Sequence, residues 1–180
     1  MTTAIISVET ARLRAERIAE AHFGAVGELW RDGQVMVWSG GARTDEQCRA
    51  MFRNALEHWD QYGFGRWAWF AKDGGEFVGL AGFRCMTVDD WPEVTLGYLL
   101  RPAHWGQGYA TEIAGRLVDL AFEKLGMESV IALSTPENAA SRRVLEKAGM
   151  KYHREGIYEN LPHVLYEIIR ADCAARQSAD

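Results

Sequence analysis

Between Val94 and Leu133 the chain spells out strand, glycine turn, amphipathic helix and strand in direct succession. Val94, Leu96, Tyr98 and Leu100 alternate as one strand face requires. Ala110, Ile113, Ala114, Leu117, Val118, Ala121, Phe122 and Leu125 then recur at i, i+3, i+4 and i+7, one apolar stripe along a helix. Gly126 stops that helix, and Ser129 to Leu133 supplies a short buried strand. Strands joined through a helix pair in parallel, because a tight turn can only return a chain antiparallel. This unit therefore commits the second half of the chain to an α/β arrangement.

The flanking sequence adds the remaining elements. Ala11 to Ala15 alternates arginine with apolar residues and reads as an edge strand, and Glu16 to Leu29 reads as helix. Thr44 to Trp59 is a second helix: Thr44 is the N-cap, Gln47 follows three residues later, and Met51, Phe52, Ala55, Leu56 and Trp59 share a face. Trp67 to Ala71 and Glu76 to Arg84 are strands joined across Lys72-Asp73-Gly74-Gly75, a hairpin signal. The longest loop candidate is Thr87 to Pro92. Downstream, Asn138 to Ala148 is a helix ended by Gly149, and Tyr152 to Tyr158 with Val164 to Ile169 completes a strand pair. The sum is a mixed sheet, meander-like in front, in one domain spanning residues 1–180, with a tail that frays from about residue 172.

Composition excludes several classes. At 180 residues and 48% hydrophobic, the chain can bury a substantial core. A net charge of −5 lacks the basic balance of a nucleic-acid binder. Cys48, Cys85 and Cys173 are odd in number and widely spaced, which suggests neither a disulfide framework nor a zinc site and fits a reducing cytoplasm. Residues 1–17 carry Glu9 and Glu16 and no apolar core, so a signal peptide is not expected. No apolar run reaches the ~20 residues of a membrane span. His22, His58, His104, His153 and His163 form no spacing pattern, and surface or packing roles suit them.

Two stretches carry chemistry. Trp105-Gly106-Gln107-Gly108-Tyr109-Ala110 lies between strand and helix. Gly-x-Gly is common and can be a simple turn. Set before a helix start, it is also prepared for a phosphate, because glycine admits close approach and the helix end presents N–H groups. It is neither a P-loop nor a dinucleotide fingerprint: no Lys-Ser/Thr follows, and Thr111 stands where the third glycine belongs. In the second stretch, Asn138 and Ser141 share a helix face, fit either for capping and packing or for a ligand. Arg142-Arg143 reads as a solvated helix face or a contact to a cofactor phosphate. The tryptophans read as core or cleft wall.

Together the stretches resemble the GNAT superfamily of N-acetyltransferases, and within it the Rim-type branch that acetylates ribosomal-protein N-termini. The likeness rests on Gly97-Tyr98, Pro102 through Glu112, and Asn138 through Gly149. Glu9 through Arg14 and Gly63 through Ala68 support it. It implies a mostly antiparallel mixed sheet with a splayed central parallel strand pair and flanking helices. It implies acetyl-CoA as co-substrate and no metal. Backbone groups of Trp105, Gly106, Gln107, Gly108, Tyr109 and Ala110 would hold the pyrophosphate. Main-chain groups of Leu99 and Leu100 would pair with the pantetheine arm, and a backbone N–H near Tyr98 would face the thioester oxygen. Asn138 would contact pantetheine, and Ser141 would lie near the thiol. Trp30, Trp38 and Trp59 fall in the helical region that shapes the acceptor side in this family.

The chain departs from the family pattern in three places. Trp105 opens the phosphate turn where the broad superfamily often has Arg or Gln, as is common in the Rim-type branch. Leu145 stands where many members carry a tyrosine acid, leaving Ser141 to protonate the thiolate. Thr95 stands where a carboxylate often precedes the Gly-Tyr pair, and Glu93 can substitute as base, on the same nominal face. The implied reaction is direct attack by a neutral amine in a ternary complex. An N-terminal α-amine, with a pKa of about 8, needs less help than lysine at about 10.4. The expected acceptor is a protein or peptide N-terminus. The alternatives are a small-molecule amine (polyamine, amino sugar or antibiotic) and an acyl-CoA-binding module without turnover. No membrane or direct nucleic-acid partner is expected, and the protein would be a monomer or homodimer.

Overall fold

The computed structural model describes residues 7–177. Their contacts cluster into two compact units, residues 7–83 with 98–107 and residues 84–97 with 108–177.

The first unit contains β1 (Ser7–Glu9), β2 (Leu13–Arg17), a 3₁₀ turn at Glu20–His22, α1 (Phe23–Arg31), α2 (Gly33–Met36), α3 (Asp45–Tyr62) and β3 (Arg66–Ala71). It also takes the opening of β4 (Phe77–Val88) and the end of β5 (Trp91–Leu100). The strands neighbour one another in chain order, with Val8 opposite Ala15, Ala15 opposite Trp69 and Ala68 opposite Leu80. The expected edge strand is therefore interior, since β1 covers its outer side. Glu16 and Arg17, expected at a helix start, belong to β2, because they pair with Ala68 and Trp67 across the sheet. That ladder outweighs a weak helix preference, and α1 begins only at Phe23.

The second helix starts as its sequence requires. Thr44 Oγ1 accepts from the Gln47 N–H at 3.2 Å, and Gln47 Oε1 accepts from the Thr44 N–H at 2.9 Å. The helix runs past Trp59 to Tyr62. Its buried Phe52 meets Phe23 and Trp30 of α1 edge-on at 5.3 and 6.4 Å. Trp30, Trp59, Trp67 and Trp69 are all fully buried. The indole N–H of Trp59 donates to Arg66 O and that of Trp69 to Ala81 O, which satisfies the polar handle of a buried tryptophan.

The second unit holds the end of β4, the start of β5, α4 (Tyr109–Glu123), β6 (Ser129–Ser134), α5 (Ala139–Lys147), β7 (Lys151–Tyr158), β8 (Leu161–Ile169) and α6 (Arg170–Gln177). The expected parallel pair is β5 with β6, Thr95 opposite Ile131. The other pairs here are antiparallel, β6 with β8 and β8 with β7. Ile113, Ala114, Leu117, Val118 and Ala121 of α4 are buried, as is Leu120, which the apolar stripe omitted. The expected loop from Thr87 to Pro92 is mostly strand: β4 reaches Val88, and only Asp89 and Asp90 turn. Both have positive φ, 49° and 66°, the signature of a type I′ hairpin. Residues 170–177 form a helix where fraying was expected from about 172, and residues 178–180 lie outside the described ones. The Arg170 guanidinium closes the end of α4, donating to Phe122 O at 2.9 Å and Met127 O at 2.7 Å.

Candidate functional site

β5 ends at Leu100, and a 3₁₀ turn at Pro102–His104 leads into the glycine turn. Gly106 and Gly108 have φ of 71° and 80°, values that most side chains resist. Three side chains of the first unit fix the turn. The Trp105 indole donates to Leu100 O at 2.8 Å, although the residue is 48% exposed. Gln107 Nε2 donates to Ala103 O at 2.8 Å, and Arg12 donates to Gln107 O at 2.9 Å. These contacts engage the main-chain carbonyls of Leu100, Ala103 and Gln107. Residues 105–108 are exposed.

Gly108 is the N-cap of α4, and it brings no capping side chain. By contrast, Asp32, Thr44 and Asn138 cap α2, α3 and α5 with their own oxygens. A helix start without a side-chain acceptor presents its N–H groups and positive dipole end outward. Together the exposed turn, the engaged carbonyls and the uncapped start fit a bound phosphate. Among the described residues no group of three or more His, Cys, Asp or Glu is placed to hold a metal ion.

Also in the first unit are Tyr98 and Leu99, half-buried, and Leu100, buried. Their strand approaches β4 closely. A Cβ added to Gly79 would stand 2.2 Å from Leu99 O and 2.8 Å from Leu100 Cα. Gly79 carries no motif signal in the sequence, because only the neighbouring strand defines its lack of space. Gly79→Ala is expected to displace the end of β5 and to destabilise the protein by about 1–3 kcal/mol, the usual range for overpacking. Thermal unfolding of the two proteins checks this, and an unchanged midpoint refutes the close approach.

The second unit places Gly108, Tyr109 and Ala110 at the start of α4, Glu93 on β5, and Asn138 and Ser141 at the start of α5. Asn138 and Ser141 do come together: Asn138 Oδ1 accepts from the Ser141 N–H at 3.1 Å. The capping reading of Asn138 is thus correct for its oxygen. Arg142 is half-buried and has partners beyond its own helix, while Arg143 is exposed. Arg142 donates to Tyr166 Oη at 3.2 Å and to Pro136 O at 3.2 Å, while the Tyr166 hydroxyl donates to Glu146 Oε1 at 2.8 Å. This network ties the loop before α5 to β8. It was hidden from the sequence because Tyr166 lies 24 residues from Arg142.

Leu145, at the position of the missing tyrosine acid, is buried. Thr95 is 7% exposed, and its hydroxyl donates to Arg84 O at 3.0 Å. Glu93 is half-buried. Burial raises its pKa first and the Glu167 carboxylate raises it further, against lowering by Arg154 and His153. Arg154 is itself ion-paired with Asp89. A carboxylate lifted above its ordinary range is a better proton acceptor.

Comparison with known proteins identifies the family. Residues 12–151 match the acetyltransferase (GNAT) domain model. The chain is 34% identical over 146 residues to the uncharacterized protein YkkB of Bacillus subtilis, covering 78% of this chain and 82% of YkkB. It is 38% identical over 157 residues to the FsC-acetyl coenzyme A-N(2)-transacetylase of Aspergillus fumigatus, covering 81% of this chain and 65% of that protein. Among solved structures, an acetyltransferase from Agrobacterium tumefaciens superposes with a TM-score of 0.81 at 27% identity, covering 93% of this chain and 96% of the other. The chain belongs to the GNAT family of acetyltransferases, enzymes that use acetyl-CoA.

Proposed function

We propose that this protein transfers the acetyl group of acetyl-CoA to a primary amine, within one acetyltransferase domain. The observation that supports this best is the exposed glycine turn running into the uncapped start of α4. In this reading, backbone N–H groups from Trp105 to Ala110 bind the pyrophosphate. Main-chain groups of Leu99 and Leu100 bind the pantetheine arm, and the Trp105 indole already on Leu100 O holds that carbonyl in place. Asn138, with its oxygen committed to the helix cap, offers its amide N–H groups to pantetheine. A backbone N–H near Tyr98 polarises the thioester oxygen. Acetyl-CoA supplies the activated acyl group. Glu93 takes a proton from the amine, directly or through water. The amine nitrogen then bonds to the acyl carbon as the C–S bond breaks, the Ser141 hydroxyl gives its proton to the departing sulfur, and the second proton shed by the nitrogen as it becomes an amide passes through water to restore Ser141.

The acceptor favoured by the motif likeness is a protein or peptide α-amine, and the site of action is the cytoplasm. A second reading, a small-molecule amine, is favoured by the 38%-identical Aspergillus N(2)-transacetylase. Free-thiol release from acetyl-CoA, measured with short peptides in one set and polyamines, amino sugars and amine antibiotics in another, tests both. Turnover with peptides alone supports the first reading and turnover with small amines alone the second. Thiol release with neither set, despite tight acetyl-CoA binding, refutes the catalytic reading.

Ser141→Ala is expected to lower kcat while leaving acetyl-CoA affinity nearly unchanged. The effect is modest, about tenfold or less, because a thiol of pKa about 8.5 leaves readily as thiolate. An unchanged kcat removes Ser141 from the reaction.

A further inference from the structure

The peptide between Gln107 and Gly108 is flanked by glycine on both sides once Gly106 is counted, and both glycines sit at positive φ. Such a segment has little intrinsic preference for one peptide orientation, because glycine tolerates either side of the backbone map. A phosphate cradle needs one orientation. In a planar trans peptide the C=O and the following N–H point in opposite directions. Whatever holds the Gln107 carbonyl therefore aims the Gly108 N–H the other way.

Arg12 holds it. Its guanidinium, located just before β2, donates to Gln107 O at 2.9 Å across 95 residues of sequence. The segment that carries Arg12 is anchored independently: Lys72 N–H donates to Arg12 O at 2.9 Å, and the next residue, Leu13, is opposite Ala71 in the sheet. The turn brings no arginine or lysine of its own, since residues 102–110 read Pro-Ala-His-Trp-Gly-Gln-Gly-Tyr-Ala. Arg101, just before it, is ion-paired with Glu28. A cation on the carbonyl also polarises the peptide and strengthens its N–H as a donor.

We infer that Arg12 is a positioning residue for the phosphate turn: by fixing the Gln107 carbonyl it aims the Gly108 N–H at the pyrophosphate of acetyl-CoA. This rests on the acetyl-CoA reading above and adds a residue to it. Gln107 and Trp105 brace the same turn at Ala103 O and Leu100 O; of these three side chains, Arg12 is the one that acts on the peptide that bears the Gly108 N–H.

The test is calorimetry on wild type, Arg12→Gln and Arg12→Lys with three ligands: acetyl-CoA, CoA and S-acetylpantetheine, which lacks the pyrophosphate. Arg12→Gln is expected to weaken acetyl-CoA and CoA roughly tenfold, with Arg12→Lys partly restoring affinity, because a charged donor reaches the same carbonyl less rigidly. S-acetylpantetheine should bind all three proteins equally. In the unliganded proteins, the Gly108 amide resonance should shift or broaden in Arg12→Gln while the thermal midpoint stays close to wild type, because the bond is exposed. Equal losses for acetyl-CoA and S-acetylpantetheine overturn the proposal, as does unchanged acetyl-CoA binding in Arg12→Gln. Wild-type protein that binds neither acetyl-CoA nor CoA overturns the acetyltransferase reading and this inference with it.

Discussion

Gly108→Val is expected to abolish measurable acetyl-CoA binding, a loss of about 100-fold or more. Two effects combine. Gly108 holds φ 80° at the start of α4, and a β-branched residue there is a genuine conformational outlier, costing on the order of 1–3 kcal/mol. The helix start would relax away from this geometry or lose stability. The added side chain would also occupy space that the pyrophosphate needs next to the backbone. Gly108→Asn separates the two effects, because asparagine tolerates the left-handed region. It should fold close to wild type yet still bind acetyl-CoA more weakly. Calorimetry beside thermal unfolding measures both. Wild-type affinity in Gly108→Asn and Gly108→Val would remove the glycine turn from the binding site.

The second large effect is at Glu93, where stability and rate should move in opposite directions. Burial and the neighbouring Glu167 raise the Glu93 pKa in the folded protein. A raised pKa means that the folded state favours the protonated form. The stability this contributes is complete below the unfolded value, about 4.3, and is lost as pH rises through the folded value. At neutral pH the ionised carboxylate is therefore a burden, and Glu93→Gln should be somewhat more stable than wild type. The gain should vanish in acid below the ordinary carboxylate range. Catalysis needs the ionised form, so the acid limb of kcat/KM should lie above that range in wild type. Glu93→Gln should lose that limb and about 10²–10⁴-fold in rate near pH 7, the usual worth of a general base. A variant that is stabilised but keeps wild-type kcat/KM at every pH leaves Glu93 as a strained strand residue with no part in proton transfer.

The elements legible in the sequence are those whose signal is local. The α4 stripe, the Thr44–Gln47 cap and the Asp-Gly hairpin each depend on residues within about one or two turns of one another; the cap and the hairpin took their expected form, and the stripe did so except that α4 ends at Glu123, before Leu125, and also buries Leu120. The parallel β5–β6 pair followed from the helix between them. The glycine turn was equally readable, because positive φ before a helix is written in the glycines themselves. The cap from Asn138 to Ser141 likewise spans three residues.

Tertiary structure decided whatever depends on a distant partner. Glu16 and Arg17 became strand because Ala68 and Trp67 pair with them. Thr87 to Pro92 became strand and tight turn rather than loop, since Thr95 on the returning strand reaches back to Arg84. Gly79 acquires its lack of space from Leu99. Arg142 turned inward to Tyr166, and Arg12 crossed 95 residues to the glycine turn. The physical reason is the same throughout. Backbone propensity and periodicity act over a few residues and are worth tenths of a kcal/mol each, whereas ladders, buried networks and close strand contacts form only when the fold supplies the other partner.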